Sequence, residues 1–347
     1  MTSARKSSRA PSGTPSIPHF AARMEDRFHA FREKRARKRG LTSAVIAYTG
    51  YGAPGWVRVL CRVLLARPGA TDDRSKKIRG WRSFTSVPVN DVAVTVDIGG
   101  IQHRVTADRG GVVDAVLESD LPPGWHTITV RTDESDPISC PVFVVDPAVS
   151  FGIVSDIDDT VMVTALPRPL LAAWNTFVLD EHARRPVPGM AVLLERLTRS
   201  HPGSPVVYLS TGAWNVAPTL TRFLSRQLYP SGALLLTDWG PTHDRWFRSG
   251  RDHKRESLAR LATEFPGIRW LLVGDDGQHD EDIYGEFADG HPDNVSAVAI
   301  RQLSNSEAVL AGGRSSAEER RTGNTARWVY AHNGAGLAER LADAGLL

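Results

Sequence analysis

The pattern of apolar and polar residues changes near residue 149. Before that point, short runs either alternate between apolar and polar residues, as at 92–98, or are continuously apolar, as at 57–65. Alternation with a period of two is typical of half-buried strands, and several short strands separated by turns are typical of β-sandwiches. The sequence therefore predicts a small all-β, sandwich-like domain over residues 41–148, with Gly99-Gly100 as one hairpin turn.

After residue 149, apolar runs alternate with stretches of helical periodicity. The strand candidates are 151–155, 205–210, 233–237, 269–274 and 296–300, and the helix candidates are 189–200, 216–228 and 252–264. Strands that alternate with helices predict a doubly wound parallel sheet, so the predicted fold class is α/β. We expect this domain to cover residues 149–310, followed by a linker and a terminal helix over 311–347.

The N-terminal 40 residues form a basic extension. They carry 11 Lys/Arg and 3 Asp/Glu, a balance of +8, so the rest of the chain sums to −5 within the total of +3. Apolar residues from Phe20 to Phe31 recur at helical spacing, which predicts an amphipathic helix within residues 19–39. Such a helix packs on the protein itself or lies on an anionic membrane, and a basic tail also binds nucleic acid. We favour packing and consider nucleic acid the weaker alternative.

Composition indicates a soluble globular protein of two domains. The 347 residues are 41% hydrophobic and 23% charged, and no apolar stretch reaches the roughly 20 residues of a membrane span. Cys61 and Cys140 lie in strand-like apolar runs, which favours buried, reduced thiols over a disulfide. We therefore expect a cytoplasmic protein, with peripheral membrane contact through residues 19–39 as an open alternative.

Acidic, hydroxyl and basic residues follow the strand candidates of the second half. They are Asp156, Asp158, Thr160, Ser210, Thr211, Gly212, Lys254, Asp275, Asp276 and Asp280. In open α/β sheets, ligands bind beyond the carboxyl ends of the strands, so we expect these residues to converge. Carboxylates are ligands that Mg²⁺ prefers, and hydroxyl and ammonium groups bind phosphate oxygens. The combination predicts Mg²⁺-assisted phosphoryl transfer. Each piece alone has a simpler interpretation, as a helix cap, a turn or a surface lysine.

The order Asp-x-Asp-x-Thr, Ser, Lys, Gly-Asp-Asp resembles the haloacid-dehalogenase-type phosphohydrolase superfamily, which implies a Rossmann-like sheet. The sequence around these motifs is similar to the catalytic domain of the actin-patch-type phosphatidate phosphatases and their bacterial relatives, over about residues 150–305. The matching segments are Ser155–Val161, Tyr208–Trp214, His253–Arg255 and Gly274–Asp280.

The resemblance implies a role for each matching residue. Asp156 is expected to be the nucleophile and a metal ligand, and Asp158 the general acid/base, with its backbone carbonyl on Mg²⁺. Ser210 and Lys254 are expected to hold the phosphoryl group, helped by Thr160, Thr211 and Gly212. Yeast-type members more often have Gly-Asp-Ser-Gly where this chain has Gly-Asp-Asp-Gly. Asp275 is an expected metal ligand. Because of the extra acid at 276, the choice between Asp276 and Asp280 as the last metal ligand stays open.

The segments 162–188 and 238–253 are expected to frame the site, with Arg245 and Arg248 as contacts to a substrate head group. Their mixture of apolar and basic residues suits an amphiphilic phosphate ester. The expected function is a Mg²⁺-dependent phosphomonoesterase that acts through an aspartyl phosphate on phosphatidate or a related lipid phosphate. Two alternatives remain: a phosphatase for a soluble ester, and a non-catalytic binding or scaffold protein that uses the β domain.

Overall fold

The computed structural model describes residues 31–67, 87–163, 185–237, 243–277, 279–311 and 326–347, without the side chains of 243–249 and 310–311. Most of the predicted helix at 19–39 therefore lies outside the described residues, as do 164–184 and 238–242 of the two segments expected to frame the site.

The first half of the chain forms one mixed sheet of nine strands among the described residues. The strands are β1 (Thr42–Ala47), β2 (Gly50–Ala53), β3 (Gly55–Ala66), β4 (Val87–Pro88), β5 (Ala93–Ile98), β6 (Ile101–Thr106), β7 (Val112–Ser119), β8 (Gly124–Thr132) and β9 (Ile138–Val144). The order is β1-β3-β2-β9-β8-β5-β6, and β4 and β7 also pair with β3. The pairing of β2 with β9 is parallel, and the other pairs are antiparallel.

The long strand β3 explains the architecture of this sheet. Its 12 residues pair with β1 and β2 along one edge and with β7 and β4 along the other. Val57, Val59, Cys61 and Val63 pack into the core of the β domain, whereas Leu60 packs against the second half of the chain. Because both faces are covered, the strand is almost continuously apolar. The predicted buried, reduced thiols are confirmed, since Cys61 and Cys140 are both buried and free.

The described end of the predicted N-terminal helix is helix α1, at 31–37. Ala36 is buried in the core of the β domain, and Arg37 forms an ion pair with Glu134 at 2.9 Å. Phe31, which belongs to the predicted apolar face, is 62% exposed. Within the described residues, no helix is long and apolar enough to cross a bilayer.

A second sheet holds six strands: β10 (Phe151–Asp156), β13 (Val206–Ala213), β14 (Ala233–Thr237), β15 (Arg269–Asp275), β16 (Val295–Arg301) and β17 (Trp328–Ala331). Its order is β14-β13-β10-β15-β16-β17, and every pair is parallel. A small antiparallel pair joins β11 (Met162–Val163) to β12 (Arg185–Pro186). Strand β10 is buried along its whole length. The carboxyl ends of β13, β10 and β15 therefore lie side by side.

The helices of this half are α2 (Met190–Ser200), α3 (Ala217–Arg226), α4 (His243–Glu264), α5 (Asp280–Gly290), α6 (Asn305–Ala311) and α7 (Gly334–Asp343). Short 3₁₀ turns lie at Trp214–Val216 and Pro292–Asn294. The predicted helices at 189–200, 216–228 and 252–264 correspond to α2, α3 and the second part of α4. Helices α5 and α6 and strand β17 were not predicted.

The predicted fold class, an α/β haloacid-dehalogenase-like protein with a doubly wound parallel sheet and a small β-sandwich, is wrong. Strands hold 41% and helices 30% of the described part of the chain, which is therefore mostly β. The larger sheet is the nine-stranded mixed one, which is a single hydrogen-bonded sheet. The physical reason lies in β3, which gathers four strands, β1, β2, β4 and β7, that the apolar pattern did not reveal. Strands β1, β2 and β4 are short or rich in glycine and polar residues. Strand β7 places charged residues on its exposed face.

The two halves share one hydrophobic core and a polar contact at its margin. Tyr48 stacks on Trp214 with ring centroids 5.0 Å apart, and its hydroxyl donates to the Trp214 carbonyl over 3.3 Å. Tyr51 and Arg58 donate to the carboxylate of Glu264 over 2.8 and 3.1 Å. The β domain thus holds the turn after β13 and the C-terminal end of α4. Strand β13 and helix α4 both carry predicted site residues.

Candidate active site

Asp156 and Lys254 form the centre of the site. Asp156 is the last residue of the buried strand β10, and Lys254 lies in α4. The Lys254 ammonium donates to Asp156 Oδ1 and to Asp280 Oδ1, each over 2.6 Å. All three side chains are at most 6% exposed. The ammonium therefore ties together carboxylates from two different elements.

Three carboxylates form a cluster that can hold a cation. Asp156, Asp275 and Asp280 each offer one oxygen, and these oxygens lie within 4.8 Å of one another. Asp275 is the last residue of β15, and Asp280 begins α5. The close approach of Asp280 requires glycine at 274, because a Cβ there would lie 2.6 Å from Asp280 Oδ2. A set of buried, hard oxygen ligands fits Mg²⁺.

The cluster holds more acidic groups than its single ammonium balances. Burial raises the pKa of Asp156 well above its ordinary value, Lys254 opposes this, and Asp280 and Asp158 add to it. Burial and Asp280 likewise raise the pKa of Asp275 well above its ordinary value. Burial lowers the pKa of Lys254, but Asp156 and Asp280 outweigh it, so the ammonium keeps its proton. A bound divalent cation would relieve the repulsion between the carboxylates.

Asp158 and Ser210 meet at the same edge of the sheet. The Ser210 hydroxyl donates to Asp158 Oδ2 over 3.0 Å and accepts from the Gly212 amide over 2.9 Å. Asp158 is 7% exposed and Ser210 is fully buried. The hydroxyl at the end of β13 therefore orients the carboxylate predicted to transfer protons.

The two threonines of the predicted site have different surroundings. Thr160 is fully buried, and its hydroxyl lies 3.5 Å from Asp275 Oδ2. The Thr211 carbonyl accepts from the Thr237 hydroxyl over 3.0 Å, and its side chain packs against Gly250 of α4. Thr160 thus borders the carboxylate cluster, whereas the contacts of Thr211 hold the end of β13 against β14 and α4.

Asp276 points to a different part of the fold. Its Oδ1 accepts from the Leu303 amide over 2.8 Å, and its own amide donates to the Arg301 carbonyl over 3.1 Å. These bonds tie the end of β15 to the end of β16, outside the group of three carboxylates. The predicted head-group contacts Arg245 and Arg248 lie in α4, but their side chains are outside the described residues.

The sequence pattern did not reveal Arg301, which contacts the loop of Asp158. Its Nη1 donates to the Asp159 carbonyl over 2.6 Å, and the residue is only 4% exposed. A signal was present, because an arginine directly after the apolar run 296–300 is a charge at the functional edge of a parallel sheet.

The strand ends, the cluster of acids and the buried lysine define a site suited to phosphoryl chemistry. Residues 151–302 match the family model of the catalytic domain of phosphatidate phosphatase APP1. This part of the chain is therefore similar to the APP1 catalytic domain family.

Curated relatives and solved structures extend the comparison. The phosphatidate phosphatase APP1 of Saccharomyces cerevisiae is 27% identical over 209 residues, which is 58% of this chain and 35% of that protein. An uncharacterized protein of Schizosaccharomyces pombe is 25% identical over 153 residues, 44% of this chain and 25% of that protein. The chain thus spans about a third or less of these relatives. A carbohydrate acetylesterase from Xanthomonas citri has a TM-score of 0.31 at 10% identity, covering 87% of this chain and 74% of that one, which is too weak a likeness to bear on fold or function.

Proposed function

We propose that this protein is a Mg²⁺-dependent phosphomonoesterase that acts through an aspartyl phosphate on phosphatidate or a related lipid phosphate. The observation that carries the proposal is the meeting of Asp156, Asp275 and Asp280 with Lys254 inside the segment 151–302 that matches the APP1 catalytic domain. The yeast relative of that family is named a phosphatidate phosphatase, which supports the choice of substrate class.

Asp156, Asp275 and Asp280 would hold the Mg²⁺ ion through one carboxylate oxygen each, and the Asp158 backbone carbonyl is a further candidate ligand. When bound, the ion supplies positive charge that offsets the repulsion between an anionic phosphate and an anionic nucleophile. Asp276 is not needed for this role in the proposal, since its carboxylate accepts from the Leu303 amide.

Asp156 attacks phosphorus and forms the aspartyl phosphate, while the bond to the leaving alkoxide breaks. Lys254 stays protonated and stabilises the carboxylate before the attack and the phosphoryl oxygens during it. Its bond to Asp280 keeps the ammonium in place as the charge moves from Asp156 to the phosphoryl group.

Asp158 gives a proton to the leaving oxygen and then takes one from the water that hydrolyses the aspartyl phosphate. The Ser210 hydroxyl aims the Asp158 carboxylate, and the burial of both residues keeps bulk water from competing for the proton. Thr160, Thr211 and Gly212 are proposed contacts of the phosphoryl group, and Arg245 and Arg248 of the head group.

A phosphate-release panel tests the function. Purified full-length protein is assayed on phosphatidate, lysophosphatidate, diacylglycerol pyrophosphate and soluble phosphate monoesters, with Mg²⁺ and with a chelator. We expect Mg²⁺-dependent release with a preference for a lipid monoester. Release that persists in chelator rules out the metal requirement, and no release from any ester rules out the phosphatase.

The choice between a lipid and a soluble substrate rests partly on the basic extension. Liposome co-sedimentation of the full chain and of a chain lacking residues 1–40 tests the proposed peripheral contact. The exposed Phe31 at the described end of that helix is available for such a contact. Binding to anionic vesicles that is lost with the extension supports a lipid substrate, whereas absence of binding together with hydrolysis of soluble esters favours the soluble alternative. The boundaries 41–148 and 149–310 and the cytoplasmic location stay predictions.

A further inference from the structure

Arg301 is a buried arginine with three acceptors in three different segments. Its Nη1 donates to the Asp159 carbonyl over 2.6 Å, its Nη2 to Glu307 Oε1 over 2.6 Å, and its Nε to the His332 carbonyl over 3.3 Å. It is the last residue of β16, two strands away from β10 in the sheet. One guanidinium therefore joins the Asp158 loop to helix α6 and to the segment after β17.

The backbone that Arg301 holds is unusual. Asp159 has φ +55°, a left-handed conformation that is uncommon for residues other than glycine, although aspartate adopts it more often than most. Its amide donates to the Met162 carbonyl over 2.8 Å, so residues 159–162 form a tight turn directly after Asp158. A non-glycine residue in such a conformation is strained and persists only where surrounding contacts fix it. The short bond from Arg301 is such a contact.

The position of Asp158 depends on this turn. Asp158 is joined to Asp159 by one peptide bond, and its carboxylate must keep the contact to Ser210 over 3.0 Å. The Asp159 carbonyl belongs to the 159–160 peptide, so a change of the Asp159 backbone angles that releases this carbonyl would also shift Asp158. The acceptor of Arg301 therefore lies in the residue directly after the one that transfers protons in the proposed reaction.

We propose that Arg301 is a positioning residue for Asp158, so that it controls proton transfer to the leaving group without touching the substrate. This inference rests on the proposed phosphatase function. Arg301 is only 4% exposed and donates to protein acceptors, and its ion pair with Glu307 keeps the guanidinium oriented toward the turn.

The role has a kinetic signature that general unfolding lacks. An alkyl phosphate has a poor leaving group that needs the proton from Asp158, whereas an aryl phosphate such as 4-nitrophenyl phosphate needs it far less. General acid catalysis contributes about 10²–10⁴-fold. Because kcat/KM covers the steps up to departure of the leaving group, a misplaced Asp158 lowers kcat/KM for the alkyl ester much more than for the aryl ester.

The experiment compares full-length Arg301→Met and Arg301→Lys with Arg58→Met, a matched loss of a largely buried arginine at the domain interface. Asp158→Asn is the positive control. We expect Arg301→Met to lower kcat/KM about 100-fold for the alkyl ester and under about 10-fold for the aryl ester. Arg301→Lys should recover part of the difference, because an ammonium can reach one of the acceptors. Arg58→Met should leave the ratio of the two esters unchanged.

Amide hydrogen exchange provides a readout that does not depend on turnover. We expect Arg301→Met to lose protection at residues 157–162 while β14 keeps it, and Arg58→Met not to show this local loss. Equal losses for the two esters in Arg301→Met overturn the proposal. If the wild type hydrolyses neither ester, the proposed function fails. Independently of turnover, unchanged protection at 157–162 in Arg301→Met overturns the role of Arg301.

Discussion

The Lys254 ammonium lies 2.6 Å from Asp156 Oδ1, although the two residues are 98 positions apart in the chain. Asp156 ends a strand and Lys254 lies in a long helix whose C-terminal end is held by the β domain through Glu264. The salt bridge is almost fully buried, so its charges are weakly screened. The relationship links the nucleophile of the proposed reaction to the packing of the two halves of the chain.

Lys254→Gln should reduce activity and stability together. We expect kcat/KM to fall at least 100-fold, because the variant loses the charge that stabilises the transferred phosphoryl group. We also expect a lower Tm without Mg²⁺, since the buried carboxylates of Asp156 and Asp280 lose their ammonium. Steady-state kinetics and thermal unfolding measure the two effects, with the exposed Lys34→Gln in α1 as control. A Lys254→Gln protein of wild-type activity would refute the assigned role.

Asp156→Asn and Asp158→Asn should fail at different steps. Asp156→Asn removes the nucleophile, so neither turnover nor a phosphoenzyme is expected. Asp158→Asn keeps the nucleophile but lacks the group that activates water, so we expect slow turnover with a trapped phosphoenzyme. Acid quenching after incubation with a ³²P-labelled ester that has a good leaving group measures the covalent species. Label retained on Asp156→Asn, or full activity of that variant, would exclude Asp156 as the nucleophile.

Substitutions of the neighbouring acids Asp275 and Asp276 should have different effects, one on metal binding and the other on stability. Asp275 belongs to the group of three carboxylates, whereas Asp276 accepts from the Leu303 amide. We expect Asp275→Asn to abolish the rise in Tm caused by Mg²⁺, and Asp276→Asn to lower the Tm but keep that rise. A ligand at 100 times its Kd stabilises a protein by about 2.7 kcal/mol. A loss of the Mg²⁺ effect in Asp276→Asn alone would move the ligand assignment to that residue.

The stabilisation by Mg²⁺ should grow as the pH rises. Burial raises the pKa of Asp156 and Asp275, so the folded state binds more protons than the unfolded state at mildly acidic pH. The two protonated acids contribute fully to the free energy of unfolding at low pH, and this contribution is lost as the pH rises through their raised pKa values. Mg²⁺ replaces those protons. The Mg²⁺-induced rise in Tm, measured as the difference between Tm with Mg²⁺ and Tm with chelator, should therefore be smaller in acid than in alkali. A rise that does not change with pH contradicts this linkage.

The location of the site was predictable from the sequence because it depends on local features. Asp156, Ser210 and Asp275 each follow an apolar run, and β10 and β15 do end at Asp156 and Asp275. Parallel pairing then brings these ends together, without knowledge of the rest of the chain. The roles of the residues stay predictions, as does the contribution of Arg245 and Arg248.

The large share of β structure was not predictable, because it depends on pairing between distant segments. Strand β2 is four residues long and includes two glycines, and its partners β3 and β9 decide its conformation. The position of Arg301 after an apolar run was visible in the sequence, but its contact could not be predicted, for a similar reason. Its importance comes from the Asp159 carbonyl, 142 positions away, and a backbone acceptor leaves no mark in the sequence.

His253 should make the protein less stable in mild acid. The residue precedes Lys254, and burial, with smaller effects of Arg260 and Lys254, lowers its pKa from 6.5 to about 4. Its Nε2 is buried and has no hydrogen-bond partner among the described residues. The unfolded chain takes up a proton on this ring below about pH 6.5, and the folded protein only near pH 4. The stabilising contribution is therefore full above pH 6.5 and is lost as the pH falls toward 4, with a total of about 3 kcal/mol.

Urea unfolding at several pH values between about 4.5 and 7.5 measures this contribution. His253→Gln lacks the titrating ring, so its free energy of unfolding should fall less steeply with acidification than that of the wild type. Exposed His332→Gln is the control and should follow the wild-type curve. The two curves for wild type and His253→Gln should converge as the pH falls. Parallel curves across this range would show that the buried ring does not titrate between the folded and unfolded states as the structure implies.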